Sequence, residues 1–500
     1  MTVPRTKRPA VIVGAGAAGL AALHAMQQAG FEVIAFEQGT ELGGVWATTK
    51  YPSLAMHSKS FSYRFHDFPP LASREPNATG EEVRTYFSAY ARAKQVADKI
   101  VYGRRVDRIV YRPARSSSRC LVFATDVRTN EPSQHECDVV VCASGFSNSG
   151  RPHVPALEGR ATSRVRVLHS GELSPEMFDD IVAHRRKVVV LGAGKSAHEI
   201  LSLFRGTESV ADLTWVYVKS LWSTSYEKLY SDPVREPWNA ALYFYYMGVQ
   251  ALRRRLGWGR AMKLLQAPLI RTGFLVNPLE TESDVCRNRG AIMKADQLAF
   301  LKTVRSIRSG VVGLGEQTVL LERGDAIDAD YLICATGYDR SANLPALAIE
   351  TAAGLTDHPL AAQHGFYHHM IDPAVPEVSV FAVAILYSQH VLGLSLAAQW
   401  LARFHQGRLV TQPSTAEMTR WIEQRAREFD PWCSGEYLSN GGPYGHQRDK
   451  DVLPELFEQM GLDRGLARSL VLKGTDEQGF AKVCDLVARN LVAGKNAAGS

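Results

Sequence analysis

A strand followed at once by a glycine-rich turn and a helix-like stretch occurs twice in this chain, and that repeat narrows the fold more than any other feature. The first copy runs from the apolar strand Ala10–Val13 through GAGAAG (14–19) into AALHAMQQAG, with Phe31–Glu37 as the next strand. The second runs from KVVVL through GAGKSA (192–197) into HEILSLF, with LTWVYVK as its following strand. Apolar strands alternating with helical stretches of this length predict βαβ units and parallel sheets. Each copy is answered downstream by an apolar strand that ends in a small-residue turn. These are CDVVVCASGF, around Ala143–Gly145, and ADYLICATGY, around Ala335–Gly337. The expected fold class is α/β with two Rossmann-like dinucleotide-binding domains, one inserted into the other. The outer domain is expected over 1–175 and 329–500, ending in helices, and the inner one over 176–328, including an insertion at about 221–289.

Gly14, Gly16 and Gly19 stand where a dinucleotide fingerprint needs glycine: for a tight turn, for backbone approach to a pyrophosphate, and for close helix–strand packing. The pyrophosphate would sit on the helix N-terminus, where free N–H groups and the helix dipole favour negative charge. Glu37 ends the next strand, where a carboxylate accepts hydrogen bonds from ribose hydroxyls. In the second copy Gly192, Gly194 and Ala197 fill the same places, but the strand that follows ends in Val218, Lys219 and Ser220. A carboxylate there would repel a 2′-phosphate, whereas Lys219 and the Ser220 hydroxyl could bind one, so NADPH is favoured over NADH. Lys195 and Ser196 open the helix and either cap it or touch phosphate.

Composition bounds the rest. A chain of 500 residues predicts two or three packed units. A net charge of +6, spread along the sequence, argues against nucleic acid as a partner. Seven cysteines without regular spacing make no disulfide framework and point to a reducing, cytoplasmic setting. Cys137 and Cys142 read as buried thiols along one apolar strand, facing opposite ways, rather than as a redox pair. The leader MTVPRTKRPA lacks a long apolar region, and no run reaches the ~18 apolar residues of a transmembrane segment. No metal site is expected, and a homodimer stays open.

Two dinucleotide sites, one for FAD and one for a nicotinamide, imply hydride flow from NADPH to flavin. Beyond that point the sequence becomes specific. ELGGVW (Glu41–Trp46) followed by YPSLAMHSKSFSYRFHDFPP (Tyr51–Pro70) resembles the flavin-containing monooxygenases, the class B flavoprotein monooxygenases. His169-Ser170, GAGKSA, ATGY at Ala335–Tyr338 and AAQW at Ala397–Trp400 agree with it, so the resemblance spans nearly the whole chain outside the insertion. It departs from the family signature at Ser163, Val165 and Leu173, and where most members place an asparagine near the flavin it has His57.

The resemblance implies an FAD domain with an inserted NADPH domain. Its cofactor-binding residues would be Gly14, Gly16, Ala17, Ala18, Gly19, Glu37, Gln38, Gly44, Val45, Trp46, Met56, His57, Ser58, Val106, Ala143 and Gly145, with Gly192, Gly194, Lys195, Ser196, Lys219, Ser220, Ala335, Thr336 and Gly337. It also implies that NADPH reduces FAD, that O2 adds at flavin C4a to give a (hydro)peroxyflavin, and that one oxygen atom passes to a small organic substrate. N- or S-oxygenation and Baeyer–Villiger oxidation of a ketone both fit. His57 is the expected catalytic residue, donating a hydrogen bond to the peroxide or the retained nicotinamide. The alternatives are an electron-transfer reductase without oxygenation and a flavin-bound sensing module. Trp238–Trp258, aromatic and carrying Arg253–Arg255, reads as an amphipathic helix that walls a substrate channel.

Overall fold

The computed structural model describes residues 7–73, 75–145, 151–207, 212–230, 264, 267–279, 289–339, 344–358, 360, 365–381, 390–429, 452–473 and 477–497. They form two compact units. One comprises 1–48, 58–150 and 340–500, the other 49–57 and 151–339.

In the first unit the glycine-motif strand Pro9–Val13 lies at the centre of a five-stranded parallel sheet. Glu32–Glu37 and Ile100–Tyr102 follow on one side, Val139–Cys142 and Val378–Val380 on the other. Val139–Cys142 is buried at every position, as expected of a parallel strand covered on both faces. The helix Ala17–Gln28 covers one face and packs against the helix His390–Gln406. A second sheet, ordered Gly354–Asp357, Ala346–Thr351, Arg104–Tyr111, Cys120–Asp126 and Pro132–Cys137, shares one apolar core with the first. Cys137 and Cys142 therefore belong to different sheets, correcting the reading of one continuous strand, because the chain changes sheet at Asp138. The described cysteines are free and buried.

The second unit repeats the parallel sheet. Its order is Arg305–Arg308, Leu213–Tyr217, Val188–Leu191, Tyr331–Cys334 and Arg166–His169, all parallel. This unit is wider than the expected 176–328. Arg166–His169 pairs with Tyr331–Cys334, and Arg151–Pro152 pairs with Tyr338–Asp339, so both ends of the inserted stretch lie further out. Thr49–His57 also belongs here rather than to the outer domain. Tyr51 and Leu54 join the apolar cluster beneath this sheet, and the Lys50 N–H donates to Gly171 O at 3.4 Å. Neither packing partner is adjacent in sequence, which is why motif reading assigned the segment elsewhere. The edges of the expected insertion, Trp222–Ser225, Leu275–Val276 and Arg289–Met293, form a small sheet. Trp238–Trp258 lies outside the described residues. Among the described residues no helix is long and apolar enough to cross a membrane.

Candidate cofactor sites

The two glycine turns are built alike. In the first unit the Gly14 N–H donates to Phe36 O and the Ala143 N–H to Val13 O, both at 2.8 Å. In the second, Gly192 donates to Val216 O at 2.9 Å and Ala335 to Leu191 O at 2.8 Å. Each turn is thereby held between the neighbouring strand and the small-residue turn after the answering strand. Side chains are excluded sterically. Gly14 has φ +98° and a Cβ there would stand 2.8 Å from Ala143 O; Gly192 has φ +126° and its Cβ would stand 2.4 Å from Ala335 O. At Gly19 a Cβ would come within 1.9 Å of Gly14 O. Ala197, in the equivalent place, is fully buried with its methyl accommodated.

What the turns present is uncapped helix N–H groups. The helices Ala17–Gln28 and Lys195–Leu203 start at Gly16 and Gly194, with no side-chain cap and no acidic residue in the first turn. The helix Gly80–Ala93, by contrast, carries a complete capping box from Thr79 and Glu82. Leaving N–H donors open at these two starts suits an incoming anion. Over the first start the Glu41–Gly44 loop closes in: the Gly43 N–H donates to Ala15 O at 3.0 Å, and Gly44 has φ +58°. A Cβ on Gly44 would meet Gly16 Cα at 3.2 Å, so two bare backbones face each other. Glu37 accepts from the Ala15 N–H and the Gly39 N–H, each at 2.7 Å, through different oxygens. With about four lone-pair directions on a carboxylate, roughly two remain for ribose hydroxyls. The arrangement fits a dinucleotide.

Around this turn Ala17, Ala18 and Gln38 flank the motif, and Trp46 follows Val45 in the short helix Val45–Thr48. The Trp46 Nε1–H donates to Tyr63 OH at 2.8 Å, and Arg84 donates to Trp46 O at 3.1 Å. Gly145 has φ +90° and Gly337 φ +80°, the same left-handed turn in both units. The Gly337 carbonyl accepts from the His153 N–H and bonds the His169 ring, both at 2.9 Å, and Thr336 donates to His153 O. Burial holds the His169 pKa below its ordinary value, partly offset by the Gly337 carbonyl.

Several expected residues lie differently from the sequence reading. Val106 is a core residue at a register shift of the second sheet. Ser58 belongs to the first unit, whereas Met56 and His57, buried and half-buried, belong to the second. The strand after the second motif stops at Tyr217, leaving Lys219 exposed on the loop beyond it. Ser220 is buried, and its Oγ accepts from Asn277 Nδ2 at 3.0 Å, a bond that orients the hydroxyl and leaves its O–H as the donor. Sequence reading missed Arg308. It pairs with Tyr217 across parallel strands and is exposed, which puts a cation at the carboxyl end of the strand next to the one that leads to Lys219. Only strand order could reveal that. It also missed Glu199, which accepts from Lys195 Nζ on its own helix and from Tyr51 OH; the four-residue Lys–Glu spacing was the available signal.

Comparison with known proteins agrees with this geometry. The family model for L-lysine 6-monooxygenase/L-ornithine 5-monooxygenase matches residues 64–340, and that of an NAD(P)-binding Rossmann-like domain matches 12–79. The FAD-containing monooxygenase MymA of Mycobacterium tuberculosis is 25% identical over 359 residues, covering 65% of this chain and 69% of its own. Flavin-containing monooxygenase 1 of Rattus norvegicus is 28% identical over 202 residues, 38% of this chain and 36% of that protein. Among solved structures, a steroid monooxygenase bound to NADP superposes with a TM-score of 0.62 at 17% identity, covering 94% of this chain and 99% of that one. S-allyl-L-cysteine S-oxygenase from Allium sativum gives 0.58 at 17%, covering 97% and 99%. At such identities these structures speak for the fold. The chain belongs to the flavin-dependent monooxygenases described by the L-lysine 6-monooxygenase/L-ornithine 5-monooxygenase model, a flavin-containing-monooxygenase-like family.

Proposed function

We propose that this protein is an FAD- and NADPH-dependent monooxygenase that inserts one atom of O2 into a small organic substrate. The observation that carries the reading is the duplicated turn: two uncapped helix starts behind excluded Cβ positions, in one chain of a monooxygenase family. The first turn would hold FAD through the helix start at Gly16, the Glu37 carboxylate and the Gly44 backbone. The second would hold NADPH through the helix start at Gly194, with Lys195 and Ser196 at the phosphates and Lys219 and Arg308 at the 2′-phosphate. Bound flavin would supply the oxygen activation, which no side chain can provide.

The chain's own contribution is binding, orientation and proton placement. A neutral His57 imidazole has one donor and one acceptor nitrogen, so it can hold a proton at Nδ1 or Nε2 for the reacting oxygen. Because the matching family model is that of amine oxygenases, primary amines lead the candidate substrates, followed by sulfides and ketones. The test supplies purified protein with FAD, NADPH and 18O2, together with members of each class. One 18O atom in the product, with NADPH consumed in proportion, is expected. Flavin binding and NADPH oxidation without label in any product would leave a reductase instead.

A further inference from the structure

A cation at the first position of a helix is misplaced with respect to the helix dipole, which favours anions there. Lys195 occupies that position at the second glycine turn. Its ammonium is paired with Glu199 one turn on, and the other Glu199 oxygen accepts from the Tyr51 hydroxyl. Tyr51 is buried, and burial followed by the Glu199 charge drives its hydroxyl far above the ordinary pKa, so it stays a donor. Tyr51 does not come from the nucleotide-binding helix. It belongs to Thr49–His57, a short stretch that packs with the second unit although the residues on both sides belong to the first. The stretch is further tied there by the Lys50 N–H to Gly171 O and by a hydrogen bond between Thr49 and Tyr338. Its last residue is His57.

We propose that Tyr51 and Glu199 are positioning residues for the nicotinamide nucleotide. Glu199 holds the Lys195 ammonium at the helix start for the dinucleotide's phosphates, and Tyr51 makes the state of that lysine felt along the segment ending in His57. The inference rests on the assignment of the second turn to NADPH. An arriving phosphate competes with Glu199 for Lys195. As Lys195 turns toward the phosphate, Glu199 keeps Tyr51 as its hydrogen-bond donor, so nucleotide occupancy reaches the 49–57 backbone through one side-chain contact. No covalent or redox step is involved.

The test measures NADP+ affinity calorimetrically on FAD-loaded protein for wild type, Tyr51→Phe, Lys195→Met and the double variant. Backbone hydrogen exchange of peptides covering 49–57 is followed with and without NADP+. Tyr51→Phe removes one hydroxyl without changing charge. It is expected to weaken NADP+ about 3- to 10-fold and to abolish the protection that NADP+ confers on 49–57 in the wild type. In the Lys195→Met background the same substitution should leave affinity unchanged, since a coupled pair is non-additive. Equal losses in both backgrounds, or NADP+ protection of 49–57 persisting in Tyr51→Phe, would overturn the proposal, because a merely structural tyrosine predicts those results. Wild-type protein that fails to bind NADP+ at all would instead overturn the assignment of the second turn.

Discussion

Substituting alanine at two glycines of the first turn should separate folding from cofactor binding. At Gly19 the added methyl carbon would lie 1.9 Å from Gly14 O, and real Cβ atoms essentially never approach closer than 3.0 Å. The helix Ala17–Gln28 must therefore move off the turn by about an ångström, against the buried helix His390–Gln406 on which it packs. Overpacking of this kind costs about 1–3 kcal/mol. At Gly16 the new methyl would meet Gly44 Cα at 3.5 Å and its nitrogen at 3.8 Å, ordinary contacts that strain nothing. It would stand at the uncapped helix start, where the proposed pyrophosphate would lie against bare backbone. Gly16→Ala is accordingly expected to keep the wild-type melting temperature of the FAD-free protein while weakening FAD about 10- to 100-fold, or roughly 1.4–2.7 kcal/mol. Gly19→Ala should lower the melting temperature by several degrees and lose FAD as well. Apo-protein melting and FAD titration by flavin fluorescence measure both. If Gly16→Ala bound FAD as tightly as wild type, the phosphates would not lie over this turn and the reasoning from excluded Cβ positions would fail.

Other outcomes can be stated from the same geometry. Lys219→Ala and Arg308→Ala should each raise the KM for NADPH about 10-fold with little effect on NADH, which steady-state kinetics with both nucleotides would show. His57→Asn should divert NADPH consumption from product to hydrogen peroxide; unchanged coupling would remove His57 from the chemistry. Asp67 is also testable: burial alone would raise its pKa, but His24 at 2.8 Å, His66 and Lys94 at 2.7 Å hold it well below the usual range. Its stabilising share is therefore complete above the ordinary carboxylate pKa of about 3.9 and is lost as pH falls through the lowered folded value. Asp67→Asn should cost about 2–4 kcal/mol at neutral pH and flatten the acid side of the stability profile, as read by denaturant titration between pH 2 and 7.

Why some of this could be read from the sequence and some could not follows from the range of the forces involved. The glycine turns were legible because a left-handed φ and a forbidden Cβ act at single positions, and the valine runs at Val139–Cys142 and Val188–Leu191 were legible because a strand buried on both faces admits little else. Glu37 stands out by its place at a strand end, and the structure adds two backbone donors to it, from Ala15 and Gly39, that the sequence does not announce. What stayed hidden depends on pairing between distant segments. Arg308 comes level with Tyr217, two residues before Lys219, only through the register Tyr217↔Arg308, and nothing local in RSIRSG announces it. The bond from Asn277 to the Ser220 hydroxyl, between residues 57 apart, is equally invisible locally. The segment 49–57 shows the limit most clearly. Its motif residues are those of the flavin-side signature, yet its packing, through Tyr51 and Leu54, is with the nucleotide-binding sheet. A stretch of nine residues has too little apolar surface to choose a domain alone, so its allegiance is set by the partners that the rest of the fold brings to it. Under the proposed coupling through Tyr51, that same division would let nucleotide occupancy reach His57.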